Sequence, residues 1–249
     1  MDLQSPPIDQ SPATRWRGRD FALVMIAGLI VGGAIYAAGA ELGWGDDETL
    51  LVTSAFGQYG GHILALVALA RRRGGTSSLG FSVSPSDVWY VGLGLILQAT
   101  LPLLFLPLAN LAGDGEAGQV VSDQIQQLGG LGTRIAMAIV VAVLAPVTEE
   151  LMFRGVLLKA LGGFGRLAAI VVSGLVFAGF HLFGLSGDLL RGALLIVPTF
   201  FLMGVILARV TVRKDRLGPA IFIHSGFNLL ALLILLMPPD LLDRLLEPQ

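Results

Sequence analysis

Long apolar runs alternate with short polar breaks along the whole chain. Seven runs stand out, at 21–40, 50–70, 88–111, 134–158, 167–183, 189–208 and 217–237, each bounded by charge or by Gly/Pro. About 20 apolar residues cross a hydrocarbon core roughly 30 Å thick as a helix, and an open strand edge has no hydrogen-bond partner in lipid. The pattern therefore predicts an all-α, polytopic transmembrane bundle of about seven spans. Pro102 and Pro107 predict a kink in the third run, and Pro146, which has no N–H, frees the Ala142 carbonyl in the fourth. The chain divides into an N-terminal tail (1–20), a first group of membrane helices (21–130), a second membrane domain (131–238) and a short C-terminal tail (239–249). The first tail, with Ser5, Pro6, Pro7, Ser11 and Pro12, reads as disordered.

Composition sharpens this picture. Of 249 residues, 54% are hydrophobic and only 14% are Asp, Glu, Lys or Arg, with a mean hydropathy of +0.78. Soluble domains carry about a quarter charged residues, so an ordinary soluble domain is excluded. The net charge of -2, with basic residues in short clusters between apolar runs, argues against a nucleic-acid partner and for a lipid bilayer. No cysteine is present, which excludes disulfides, iron–sulfur clusters and thiol catalysis.

The basic clusters alternate with the runs. Arg15, Arg17 and Arg19 precede the first run, Arg71, Arg72 and Arg73 follow the second, Lys159 and Arg166 follow the fourth, and Arg209, Arg213, Lys214 and Arg216 follow the sixth. Acidic residues dominate the intervening breaks, including Asp46, Glu48, Asp114 and Glu116, and the C-terminal tail carries Asp240, Asp243 and Glu247. The positive-inside rule then predicts a multi-pass protein of the cell membrane with a cytoplasmic N-terminus and an outer C-terminus. Ala38-Gly39-Ala40 looks like a signal-peptidase site. The run before it exceeds the roughly 7–15 residues of a signal core, so an uncleaved anchor is expected.

Charged residues inside a span cost roughly 2.5–3.5 kcal/mol each, so each asks for a reason. The fourth run contains Glu149, Glu150 and Arg154. Glu150 and Arg154, four residues apart, share a helix face and can neutralise each other. Glu149 lies about 100° round the helix from Glu150 and is expected to meet a different environment. The fifth run ends in Phe177-x-x-x-His181 and the seventh carries His224-x-x-x-Asn228. Counted at about 1.5 Å per residue, Glu149 lies roughly 15 Å from Lys159, His181 roughly 22 Å from Arg166, and His224 and Asn228 roughly 10–16 Å from Leu217, so a shared intramembrane pocket is permitted. Taken singly, each histidine is more often a hydrogen-bonded packing residue. His62, with Tyr59 and Gln58, is read as interhelical packing, and Gly28-x-x-x-Gly32 and Gly57-x-x-x-Gly61 as close helix approaches. Ser225 lacks an Asp at comparable depth to complete a triad.

Glu149-Glu150-x-x-x-Arg154, Phe177-x-x-x-His181 and His224-x-x-x-Asn228 resemble, in order, the EExxxR, FxxxH and HxxxN motifs of the CPBP family, the CAAX proteases and bacteriocin-processing enzymes, also called Abi or Rce1-like intramembrane proteases. The resemblance covers roughly residues 134–230 and identifies 131–238 as a CPBP-type catalytic membrane domain. It implies a bundle enclosing an intramembrane polar cavity and an endopeptidase acting on a membrane-associated protein or peptide. Glu149 would then be the general base, His181 would position the water, and His224 and Asn228 would stabilise the oxyanion, with Glu150, Arg154 and Phe177 in support. A zinc ion on Glu149, His181 and His224 is the alternative, since two histidines and a carboxylate can form such a site. The missing H-E-x-x-H and the poor donor Asn228 favour a glutamate-activated water with no cofactor. Two other functions compete with proteolysis. One is a non-catalytic immunity or scaffold protein that binds a peptide; the other is a proton-coupled transporter, against which the absence of inverted repeats counts.

Overall fold

The structure, a computed structural model, describes residues 15–115 and 117–237. The expected C-terminal tail with Asp240, Asp243 and Glu247, most of the N-terminal tail, and Glu116 lie outside the described residues. In chain order the elements are α1 (Gly18–Leu42), α2 (Asp47–Arg71), α3 (Tyr90–Ala109), β1 (Ala117–Gln119), α4 (Val120–Gln127), α5 (Leu131–Ala160), α6 (Arg166–Leu182), β2 (Leu185–Gly187), α7 (Leu189–Lys214) and α8 (Gly218–Leu235).

Every apolar run is a helix. Six helices among the described residues are long and apolar enough to cross a membrane, and α6, with 17 residues, is a shorter apolar seventh. At 1.5 Å per residue α6 covers about 25 Å, less than a full hydrocarbon core. Gly165 and the turn at Phe183–Gly184 bound it. Local chemistry sets other ends. The Asp46 carboxylate accepts from the Thr49 N–H at the start of α2, and Asp188 accepts from the Arg191 N–H at the start of α7. Gly43 closes α1 in the left-handed conformation that glycine adopts without steric cost. Helix α3 runs through Pro102 and Pro107 to Ala109.

Polar ties hold the two ends of the bundle. At the end where the basic clusters gather, the Arg73 guanidinium donates to both oxygens of buried Asp20 at 3.0 Å. Trp16 Nε1 and Lys159 Nζ both donate to the Ser78 carbonyl, at 3.2 and 2.7 Å. There too, Arg216 grips buried Asp87 with both terminal nitrogens. At the opposite end, Glu48 accepts from the Gly129 and Gly130 N–H groups and the Thr133 hydroxyl, which fixes the entry of α5. There β1 and β2 pair antiparallel, Gly118 opposite Ser186, an element the hydrophobic pattern gave no sign of.

Between the ends, the largest apolar core joins Phe153 and Val156 of α5 to Phe177, Met203, Leu207, Leu217 and Phe227. The α1–α2 contact is close because Gly28 has no side chain: a Cβ there would overlap the His62 ring, whose Nε2 donates to the Met25 carbonyl at 3.3 Å. His62 is thus placed as interhelical packing.

Candidate active site

Helix α5 carries the acidic pair and is wound unusually. Val140–Leu144 and Leu151–Leu157 are π-helical turns flanking the α-helical stretch Ala145–Glu150. In the first π turn the Ala145 N–H reaches the Val140 carbonyl, five residues back. Pro146, the second residue of the α-helical stretch, has no N–H to give to the turn before it. Asn228 of α8 serves that turn: its side-chain N–H donates to the Val141 carbonyl at 2.9 Å.

The second π turn surrounds Arg154, where every residue from Leu151 to Leu157 is buried. Glu150 and Arg154 pair as their spacing predicts, Nη1 to Oε1 at 2.9 Å, with neither side chain exposed. The guanidinium also donates from Nη2 to the Gly204 carbonyl of α7 at 3.0 Å and lies over the Phe177 ring at 4.6 Å. Three helices meet on this one arginine.

His224 of α8 joins the two carboxylates. Its Nδ1 lies 3.0 Å from Glu150 Oε1 and its Nε2 lies 3.8 Å from Glu149 Oε2. Glu149 was expected to face a different environment from Glu150, but one imidazole reaches both. The physical reason is tertiary: a ring with nitrogens on two edges bridges side chains that diverge from adjacent positions. The two carboxylates differ in access, since Glu150 is wholly buried whereas Glu149 is 12% exposed. Glu149 Oε2 has no hydrogen-bond partner.

His181 stands in the last turn of α6. Its Nδ1 lies 2.8 Å from the Phe177 carbonyl, which can only accept, so the proton sits on Nδ1 and Nε2 carries the lone pair. The ring stacks on Phe200 of α7 at 3.7 Å and contacts Phe177 at 4.8 Å. Phe177 also contacts the His224 ring at 5.7 Å, so this one phenyl ring separates the two imidazoles. Phe200 and Gly204 escaped sequence reading because apolar and glycine positions in a span carry no chemical signature of their own. Buried Thr148, beside the acidic pair, went unnoticed too.

Among the described residues, no group of three His, Cys, Asp or Glu side chains is gathered to hold a metal ion. Glu149 and His224 face each other and the His181 Nε2 lone pair is open, but the three side chains considered for zinc are not gathered into one donor group.

Fold and site together define a polytopic α-helical membrane protein with a buried carboxylate–imidazole–guanidinium centre. Residues 131–230, from the first residue of α5 into α8, match the family described as Type II CAAX prenyl endopeptidase Rce1-like. No curated protein and no solved structure matches the chain.

Proposed function

We propose that the protein is an intramembrane endopeptidase of the CAAX prenyl protease and bacteriocin-processing type, hydrolysing a peptide bond of a membrane-associated protein or peptide. The observation that carries the reading is Glu149: a carboxylate on a side chain 12% exposed, whose buried Oε2 has no hydrogen bond and faces an imidazole anchored from behind. Glu150, by contrast, has its Oε1 held by both Arg154 and His224.

Glu150 is held by Arg154 and lies beside His224 Nδ1, and the other edge of the same imidazole faces Glu149. Glu149 then takes a proton from an attacking water, which His181 orients through the Nε2 lone pair. The water oxygen bonds to the substrate carbonyl carbon, and the carbonyl oxygen becomes the oxyanion. The His224 Nε2–H and the second amide hydrogen of Asn228 are the donors available to it, because the first amide hydrogen is held by Val141. Collapse of the intermediate breaks the C–N bond, and Glu149 returns its proton to the leaving amine. Glu150, Arg154 and Phe177 are positioning residues: they fix the two imidazoles and the helix that carries Glu149.

In the membrane, the end with the basic clusters faces the cytoplasm by the positive-inside rule, so the N-terminus is cytoplasmic and the C-terminus is outside. A second reading, a non-catalytic peptide-binding scaffold, draws on the fact that Arg154 and Asn228 also tie α5 to α7 and α8. The test is cleavage of membrane-peptide libraries in liposomes by the wild type and by Glu149→Ala, His181→Ala and Glu150→Ala. Loss in the first two with folding retained is expected; a folded wild type that cleaves no candidate yet protects cells supports the scaffold.

A further inference from the structure

At the basic end of the bundle lies a cavity of about 380 Å³, walled by the ends of α5 and α7, the starts of α6 and α8 and the segment at 77–80. Among the described residues its charged lining comprises Arg154, Lys159, Arg166, Arg216 and the acid Asp215. Arg154 and Arg216 are paired behind the wall with Glu150 and Asp87.

Two buried polar atoms of lining residues have no hydrogen-bond partner: Arg154 Nε, on a side chain with no exposure, and Thr211 Oγ1, on a residue 8% exposed. A guanidinium N–H donates and never accepts, so whatever satisfies Arg154 Nε must bring an acceptor. A buried donor left without one costs more than a made hydrogen bond gains, so such an atom marks where an acceptor belongs. Gly80 shapes the same wall. It takes a positive φ of 75°, and a Cβ there would press on Lys159 Nζ at 3.2 Å, the group that donates to the Ser78 carbonyl.

We propose that this cavity binds the phosphate group of an anionic phospholipid. Phosphate oxygens are acceptors that suit an arginine N–H and a hydroxyl together. The basic loops that wall the cavity put it at the level where the positive-inside rule places headgroups of the cytoplasmic leaflet, and anionic lipids concentrate there. The volume falls within the range of small-molecule pockets, roughly 300–1,000 Å³. Bound there, the phosphate meets the outer edge of Arg154 while its inner edge holds Glu150. This lipid site is independent of the proteolytic reading and is tested without a cleavage assay.

The experiment titrates the full chain in detergent with soluble short-chain phosphatidylglycerol, and separately with phosphatidylcholine and with inorganic phosphate, reading thermal midpoint. Saturable stabilisation by phosphatidylglycerol is expected, weakened about tenfold, or roughly 1.4 kcal/mol, in Arg166→Gln and in Thr211→Val. The comparison variant Arg71→Gln, at an exposed position on the same end outside the cavity, is expected to bind as the wild type does. Circular dichroism of each variant without ligand establishes its fold, and exposed Arg166 gives the safer of the two. Inorganic phosphate matching phosphatidylglycerol would overturn the lipid source in favour of a free phosphate. No saturable binding, phosphatidylcholine binding equally well, or equal weakening in all three variants would overturn the site itself.

Discussion

Replacing Arg154 by methionine removes the guanidinium but keeps an apolar stem between Phe153 and Phe177. Glu150 is left with His224 as its only partner, and the Gly204 carbonyl loses its side-chain donor. Both ends of the pair have zero exposure, so Glu150 is left as a buried charge. Deleting one partner of a buried pair costs about 3–5 kcal/mol. For a chain of this size each kcal/mol moves the thermal midpoint by roughly 2–4 °C, which gives a drop of about 10 °C. The assay is thermal unfolding of the purified protein at fixed detergent and lipid, followed by circular dichroism. In Glu150→Gln with Arg154→Met the unpaired charge is gone while an amide oxygen still accepts from His224, and about half of the loss or more is expected to return. A single-variant loss below about 1 kcal/mol, or a double variant no better than the single, would refute the assignment of Arg154 as the counter-charge of a buried carboxylate.

Three further expectations follow from other contacts. Asn228→Leu orphans the Val141 carbonyl and should cost about 1–3 kcal/mol; with Pro146→Ala, which restores an N–H to that turn, the cost should shrink, and unchanged additivity of the two in thermal unfolding would contradict the cap. Gly28→Ala should cost about 1–3 kcal/mol by driving a Cβ into the His62 ring, and His62→Ala should relieve it; equal cost in both backgrounds would show that the ring is not the obstacle. Glu48→Gln should speed amide hydrogen exchange at Gly129 and Gly130, whose N–H groups the carboxylate holds, whereas unchanged exchange would mean the clamp does not order the α5 entry.

Much of the bundle was legible in the sequence because hydrophobic length is a one-dimensional signal. All seven runs became helices, with boundaries shifted by at most a few residues except in α7, which extends past Ala208 to Lys214. The Glu150–Arg154 pair was legible for the same reason, since four residues along one helix fix a shared face. What depends on how helices rotate against each other was not. Nothing in the spacing of His224 says that its two nitrogens address both glutamates, or that Asn228 serves a carbonyl in another helix. The π turns hid for a related reason: their winding departs by one residue from α-helical spacing, and Asn228, which holds the Val141 carbonyl there, comes from a distant helix. The contacts of Asp20 with Arg73 and of Asp87 with Arg216 join positions far apart in sequence, and unlike the helix pair they leave no local pattern.

The central claim is that Glu149 takes a proton from a water that attacks the substrate directly. Single-turnover cleavage of a membrane peptide in proteoliposomes, run in water enriched in the heavy oxygen isotope, tests it most directly. The account predicts one heavy oxygen in the new C-terminal carboxyl from the first turnover onward, and a Glu149→Gln variant slowed by about 100-fold or more with an unchanged thermal midpoint. First-turnover product carrying only ordinary oxygen would mean that an enzyme carboxylate attacks instead, and a Glu149→Gln variant cleaving at the wild-type rate would remove Glu149 from the chemistry altogether.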